Sequence, residues 1–101
     1  MREEPFGPVA PFARFAEVDE ALARANALDY GLAAYVFGRD QHAAEQVGEA
    51  LEAGIVGVNV FTPMLADTPG GGVKASGIGY EGGRLGLDAY LQYKLISVPS
   101  G

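Results

Sequence analysis

The stretch LAAYVFGRDQHAAEQVGEALEAGIVGVNVF, residues 32–61, decides the fold. Its first six residues are a short apolar run bounded by turn residues, which is typical of a buried strand. Asp40 then offers a good helix N-cap, residues 41 to about 53 carry one apolar stripe, and Gly54 follows as a stop. Residues 55–61 are the most β-branched segment of the chain and predict the next strand. The stretch therefore predicts a strand-helix-strand unit.

The flanking segments extend this alternation. Residues 9–15 are β-prone, with Pro11 favouring an edge strand, and residues 17–28 have a helical apolar stripe that Gly31 would end in a left-handed conformation. A long loop over 62–79 precedes a third helix at about 81–92 and a β-prone piece at 94–98. We predict an α/β fold for residues 1–101 as one unit: β-α-β-α-β with a mainly parallel sheet, then a long Gly-rich loop, a helix and a terminal strand.

The composition excludes several classes of function. The 101 residues contain no cysteine, which rules out disulfides, thiolate metal sites and a cysteine nucleophile from this chain. Seven basic against thirteen acidic residues argue against a nucleic-acid partner. No apolar run is long enough to span a bilayer, and the N-terminus lacks the apolar region of a secretion signal. We expect a cytoplasmic protein with no metal, no membrane contact and no nucleic acid.

Two glycine motifs in the loop do not have the context that their chemistry needs. Residues 77–82 spell G-x-G-x-x-G, but no strand leads into them and no acidic residue lies about 20 positions later, so a dinucleotide-binding unit is disfavoured. Residues 70–76 lack the direct Gly-Lys-Ser/Thr order of a phosphate-binding loop. The single histidine, His42, is predicted to be an exposed helix residue.

Two other stretches suggest a site. Glu4 and Phe6 lie two residues apart, so on an extended chain their side chains share one face, where a carboxylate could bind ribose hydroxyls beside an aromatic ring. A frayed terminus before an edge strand is the equally weighted alternative. Residues 59–83 leave the end of a strand through a dense run of glycines, and sites in α/β proteins collect at such strand ends.

Taken together, these stretches resemble the carboxy-terminal part of the aldehyde dehydrogenase superfamily. Residues 3–9, EEPFGPV, resemble the family's E-E-x-F-G-P-V segment, and residues 56–59 resemble its V-x-V-N strand. Residues 69–77 resemble P-F-G-G-x-K-x-S-G, and residues 79–98 resemble G-R-E-x-G-x-x-G-L-x-x-Y-x-x-x-K-x-x-x-V. The motifs occur in order at family spacing across essentially the whole chain.

The resemblance implies an oxidoreductase that converts an aldehyde to an acid with NAD or NADP. Glu4 would hold the ribose next to nicotinamide and Phe6 would pack on that end of the cofactor, while Glu81 would match a buried glutamate that relays protons. The loop that starts at residue 61 would shape the aldehyde pocket, whose residues would be Phe61, Thr62, Pro63, Met64 and Gly70. Residues 94–98 would form an oligomerisation strand.

The departures from the family pattern limit what this chain can do alone. Gly70 stands where the family usually has Phe, and Tyr80 replaces the usual Arg. The family's nucleophilic cysteine and cofactor-binding fold lie upstream of this segment, so we expect a catalytically incomplete fragment that binds no cofactor by itself. Its partner would be a second copy or the missing N-terminal part of the enzyme. The alternative is a non-enzymatic oligomerisation module, and a free-standing nucleotide binder is disfavoured because no phosphate-holding element remains.

Overall fold

The computed structural model describes residues 5–101, and its elements alternate as the sequence predicts in the middle of the chain. In chain order, α1 is Val18–Asn26, β1 Tyr30–Gly31, β2 Ala33–Val36, α2 Gln41–Ala50, β3 Ile55–Val58, β4 Val73–Lys74 and α3 Gly83–Asp88. The predicted α/β class is confirmed, and the predicted parallel pairing is present as one pair of strands. The strand-helix-strand unit of residues 32–61 is the centre of the molecule.

The central sheet is the parallel pair of β2 and β3, with Ala33 opposite Ile55 and Val36 opposite Val58. Helix α2 connects the two strands and packs on one face of the pair. Gly48 of α2 permits this close approach, because a Cβ there would lie 2.9 Å from Val58 Cγ2. A second, antiparallel ladder of two residue pairs joins β1 to β4. It connects residues 70–83, which we call the glycine-rich segment, to the strand-helix-strand unit.

Very little of the described chain is buried. Ala44 is the one buried residue that is not a glycine, with 4% of its surface exposed; the others are Gly31, Gly48, Gly57, Gly70 and Gly86. The radius of gyration is 18.6 Å, against about 13 Å for a compact domain of this length. Residues 5–101 therefore leave most of their large apolar side chains uncovered.

The predictions of a strand at residues 9–15 and of another at 94–98 are both wrong for the single chain. Residues 9–15 are irregular, with Phe12 96% exposed, and residues 94–98 are an unpaired segment whose Leu95 is 92% exposed. A strand requires a neighbour for its backbone groups, and no other segment of residues 5–101 pairs with either stretch. Pro11 also has no backbone N–H, so it could not donate a hydrogen bond to a neighbouring strand. A strand that 94–98 forms with another subunit stays a prediction.

The helix and strand ends also differ from the predicted ones, and side-chain hydrogen bonds explain one of them. Helix α2 ends at Ala50 rather than near residue 53, because Asn26 Nδ2 donates to Ala50 O at 2.8 Å and Glu52 N donates to Asn26 Oδ1 at 2.9 Å. Helix α3 spans six residues instead of twelve, and the segment after it is unpaired. Gly31 does not end α1 in a left-handed conformation; it lies buried in β1.

Candidate functional site

A cavity of about 510 Å³ lies between β3 and the glycine-rich segment. It brings together three of the predicted site residues, Met64, Gly70 and Glu81. The remaining walls are the side chains of Leu32, Ile55, Ser76 and Tyr80 and the backbone of four further glycines, Gly71, Gly72, Gly77 and Gly79. The glycine-rich segment lines the cavity as the sequence predicts. However, Ile55 is the first residue of β3, so the cavity lies at the amino end of that strand and not at the carboxyl end that the sequence favours.

Gly70 and Glu81 are joined by an antiparallel bridge of two backbone hydrogen bonds. Gly70 N donates to Glu81 O and Glu81 N donates to Gly70 O, both at 2.8 Å. This pair fixes the two predicted residues on opposite strands of one wall. The Glu81 side chain is exposed in this structure, whereas the resemblance implies a buried glutamate, so its proton-relay role stays a prediction.

The predicted pocket loop divides between two places. Met64 lines the cavity, but Phe61 packs elsewhere: its ring centroid is 4.5 Å from that of Phe37 and 6.5 Å from that of Tyr35. Thr62 and Pro63 do not line the cavity. We call the three rings, Tyr35, Phe37 and Phe61, the aromatic cluster.

The aromatic cluster lies on the face of the central sheet that α2 does not cover. Tyr35 is opposite Gly57 in the register, and a Cβ on that glycine would lie 2.8 Å from Tyr35 Cδ1. About half of the Tyr35 and Phe37 surface and 76% of the Phe61 surface are exposed. Sequence reasoning missed Tyr35 and Phe37, although their spacing of two places them on one strand face. Parallel sheets are normally covered on both faces; here the glycine-rich segment lies over the Ile55 end of this face, and the rings at its other end stay half-exposed.

The predicted cofactor residues do not join the cavity. Phe6 is 97% exposed and does not line it, and Glu4 lies outside the described residues. The roles of both therefore stay predictions.

A network of polar groups at the end of α1 holds the glycine-rich segment in place. Lys74 Nζ donates to the backbone oxygens of Asn26 at 2.8 Å and Leu28 at 3.1 Å, and it forms an ion pair with Glu52. Beside it, Gly31 N donates to Ser76 Oγ at 2.9 Å. Since Ser76 also lines the cavity, these bonds tie one wall of the site to α1 and the start of the sheet.

Across residues 5–101 no group of three or more His, Asp or Glu side chains is arranged to hold a metal ion. No helix among these same residues has the length and hydropathy to cross a membrane. The cytoplasmic location that the sequence predicts stays a prediction.

Comparison with known proteins gives one consistent match. The model of the aldehyde dehydrogenase family matches residues 1–96. The NADP(+) succinate-semialdehyde dehydrogenase of Escherichia coli is 45% identical over 97 residues, 96% of this chain and 20% of the relative. The human mitochondrial succinate-semialdehyde dehydrogenase is 47% identical over 94 residues, 93% of this chain and 18% of the relative.

Solved structures agree with the sequence matches. Apo betaine aldehyde dehydrogenase of Staphylococcus aureus superposes with a TM-score of 0.87 at 45% identity, over 92% of this chain and 19% of that chain. The succinate-semialdehyde dehydrogenase of Burkholderia pseudomallei gives 0.81 at 47% identity, over 88% and 18%. The chain thus spans about a fifth of the length of the relatives that it matches.

Proposed function

Because the chain belongs to the aldehyde dehydrogenase family, we propose that it forms part of an NAD(P)-dependent enzyme that oxidises an aldehyde to a carboxylic acid. Several of the relatives are named for this type of oxidation, with succinate semialdehyde and glutarate semialdehyde among their substrates. In this proposal the chain corresponds to the carboxy-terminal part of the complete enzyme, as its motifs indicate, and supplies one side of the aldehyde site.

The observation that carries the proposal is the uncovered side of the central sheet. Each of the three rings of the aromatic cluster is about half exposed or more, because no other part of residues 5–101 covers them. Burial of apolar surface contributes about 25 cal/mol per Å², so these rings favour a covering layer. We propose that the remaining part of the same enzyme provides it, together with the nucleophile that a chain without cysteine lacks.

We propose that the dinucleotide cradle comes from the rest of the enzyme rather than from this chain. The G-x-G-x-x-G segment is bridged to Gly70 through Glu81 and leads into α3, a helix of six residues, rather than running from a strand into a long helix. NAD or NADP would accept the hydride in the complete enzyme. Within this chain, we propose that Glu4 and Phe6 contact the cofactor and that Glu81 relays a proton.

A hybrid enzyme tests the proposal. In it, this chain replaces the stretch of the Escherichia coli succinate-semialdehyde dehydrogenase that it matches, and the E. coli enzyme truncated before that stretch is the control. We expect the hybrid to reduce NAD or NADP with either hexanal or succinate semialdehyde and the truncated control to be inactive. A hybrid that folds, as judged by light scattering and circular dichroism, but oxidises neither aldehyde would exclude the proposal.

A non-enzymatic oligomerisation module remains the second candidate, and the tail after α3 favours it. Tyr93, Leu95 and Val98 are each more than four-fifths exposed and unpaired within residues 5–101. Such a tail could add a strand to another copy without any catalysis. An active hybrid separates the two candidates, since an interaction module would restore assembly but no turnover.

A further inference from the structure

We propose that Met64 sets the substrate class of the site and that the wall it forms admits aldehydes with an uncharged, apolar tail. This inference rests on the proposed function and concerns the cavity of about 510 Å³ beside Gly70.

Met64 fills the space that a side chain at position 70 would occupy. A Cβ built on Gly70 would lie 2.6 Å from Met64 Cε, 2.8 Å from Met64 Sδ and 3.2 Å from Ile55 Cδ1. Real Cβ atoms do not approach other atoms so closely, and Gly70 is buried. A side chain at position 70 would therefore displace the flexible end of Met64, and we call the two positions a matched pair.

The pairing gives the cavity a flexible wall. Methionine is unbranched, with a polarisable thioether that adapts to irregular apolar surfaces. With 43% of its surface exposed, Met64 has room to change rotamer when a ligand enters. A rigid aromatic residue at position 70 would fix the width of the cavity, whereas this pair lets an alkyl chain displace the thioether.

The charges around the cavity disfavour an anionic tail. Apart from Glu81, the side chains of the residues that line it are uncharged: aliphatic, aromatic, hydroxyl or, at Met64, a thioether. Lys74, the cation of the glycine-rich segment, is bound to Glu52 and to the backbone oxygens of Asn26 and Leu28 instead. A carboxylate tail would lose water, find no cation among these residues and meet a like charge.

This differs from what the names of several relatives imply. Succinate semialdehyde, glutarate semialdehyde and sulfolactaldehyde each carry an anionic group besides the aldehyde. Among the described residues, the wall that this chain supplies has no positively charged side chain to pair with such an anion. The substrates preferred by an enzyme containing this chain would therefore differ from those for which these relatives are named.

The first test uses the full 101-residue chain labelled with ¹³C at the methionine methyls. The chain has two methionines, so Met64→Leu assigns the signal of Met64. Gly70→Ala should move that signal, whereas Gly79→Ala, whose Cβ would meet nothing within 4 Å, should leave it in place. An unmoved signal in Gly70→Ala would overturn the matched pair.

The same signal reports binding without any activity. Hexanol should shift it at a concentration at least about tenfold lower than hydroxyhexanoate does, a ratio that corresponds to about 1.4 kcal/mol. A response to hydroxyhexanoate at an equal or lower concentration, or no response to hexanol, would overturn the substrate class.

The second test measures kcat/KM in the hybrid enzyme with hexanal, succinate semialdehyde and betaine aldehyde. We expect the ratio for hexanal over succinate semialdehyde to exceed that of the E. coli parent by about tenfold or more. Met64→Arg should reverse this gain by supplying a cation, while Leu65→Arg, which lies beside it but does not line the cavity, should not.

A hybrid that prefers succinate semialdehyde or betaine aldehyde as strongly as its parent would overturn the inference. A hybrid that folds but turns over no aldehyde would instead exclude the proposed function, and the methyl signal would still decide the pairing and the binding preference. The two failures are thus distinguishable.

Discussion

Asn59, the residue after β3, forms two hydrogen bonds with Gly38, which lies two residues after the end of β2. Gly38 N donates to Asn59 Oδ1 at 2.9 Å, and Asn59 Nδ2 donates to Gly38 O at 3.1 Å. Asn59 Nδ2 also donates to Gln41 Oε1 at 2.7 Å, in the first turn of α2. The Asn59 side chain thus holds together the carboxyl ends of β2 and β3 and the start of α2. The loop that leads to Met64 and Gly70 begins directly after it.

Substitutions at Asn59 should separate the hydrogen bonds from the backbone conformation. Asn59 has a φ of 55°, which asparagine and glycine tolerate better than other residues. Asn59→Gly should lower the free energy of unfolding by about 1–2 kcal/mol through the lost hydrogen bonds, and Asn59→Ala by about 1 kcal/mol more through backbone strain. Urea unfolding followed by circular dichroism measures both. A glycine variant as stable as the parent chain would contradict this role.

The two long helices provide a matched pair for testing capping. Asp40 Oδ1 accepts from Ala43 N at 3.1 Å at the start of α2, whereas Glu17 makes no side-chain cap at the start of α1. Asp40→Ala should therefore lower the free energy of unfolding by about 1 kcal/mol, and Glu17→Ala should change it far less. Equal losses for the two variants in urea unfolding would show that the cap does not stabilise α2.

Removing the Lys74 ammonium should loosen the glycine-rich segment. Lys74→Met keeps most of the aliphatic stem but leaves the oxygens of Asn26 and Leu28 and the Glu52 carboxylate without their donor. We expect faster amide hydrogen exchange over residues 70–77 and a free energy of unfolding lower by about 1–2 kcal/mol. Glu52→Gln should cost less, because 57% of the Glu52 side chain is exposed and exposed ion pairs contribute little.

Lys94→Met is the control for Lys74→Met, because Lys94 forms no ion pair among the described residues. Unchanged exchange over 70–77 in Lys74→Met, or an equal effect of Lys94→Met, would contradict the anchoring role.

The tail after α3 should drive self-association of the isolated chain. Leu95 and Ile96 are 92% and 75% exposed in a β-prone segment that is unpaired within residues 5–101 and can pair with another edge. Light scattering at micromolar concentration should give a mass of a dimer or larger, and Ile96→Lys should reduce it. Ile78→Lys, which replaces a fully exposed residue outside the tail, serves as the control. A monomer in the parent chain would contradict the prediction.

Local signals in the sequence predict the centre of the molecule and fail where a partner is needed. Asp40 and the apolar stripe after it place α2, and the β-branched run places β3, because both depend on neighbours within a few residues. Phe12 and Leu95 lie in β-prone segments that remain irregular, because a strand depends on a second strand that residues 5–101 do not supply.

The candidate site likewise has features that the sequence predicts and features that it does not. Family motifs select Met64, Gly70 and Glu81, and the structure places all three on one cavity. The contact of Phe61 with Phe37 joins residues 24 positions apart, and the packing of Met64 on Gly70 depends on how the loop between them folds back; spacing along the sequence encodes neither. The exposure of Glu81 likewise depends on the layers that surround it rather than on its motif.

Formation of NADH or NADPH by the purified 101-residue chain tests the central claim most directly. The assay follows the absorbance of the reduced nicotinamide with hexanal, succinate semialdehyde and betaine aldehyde in turn, beside the hybrid enzyme as the positive control. We predict no turnover by the isolated chain, because it has no cysteine to attack the aldehyde, and turnover by the hybrid. Sustained production of reduced nicotinamide by the isolated chain would contradict its role as one part of a larger aldehyde dehydrogenase.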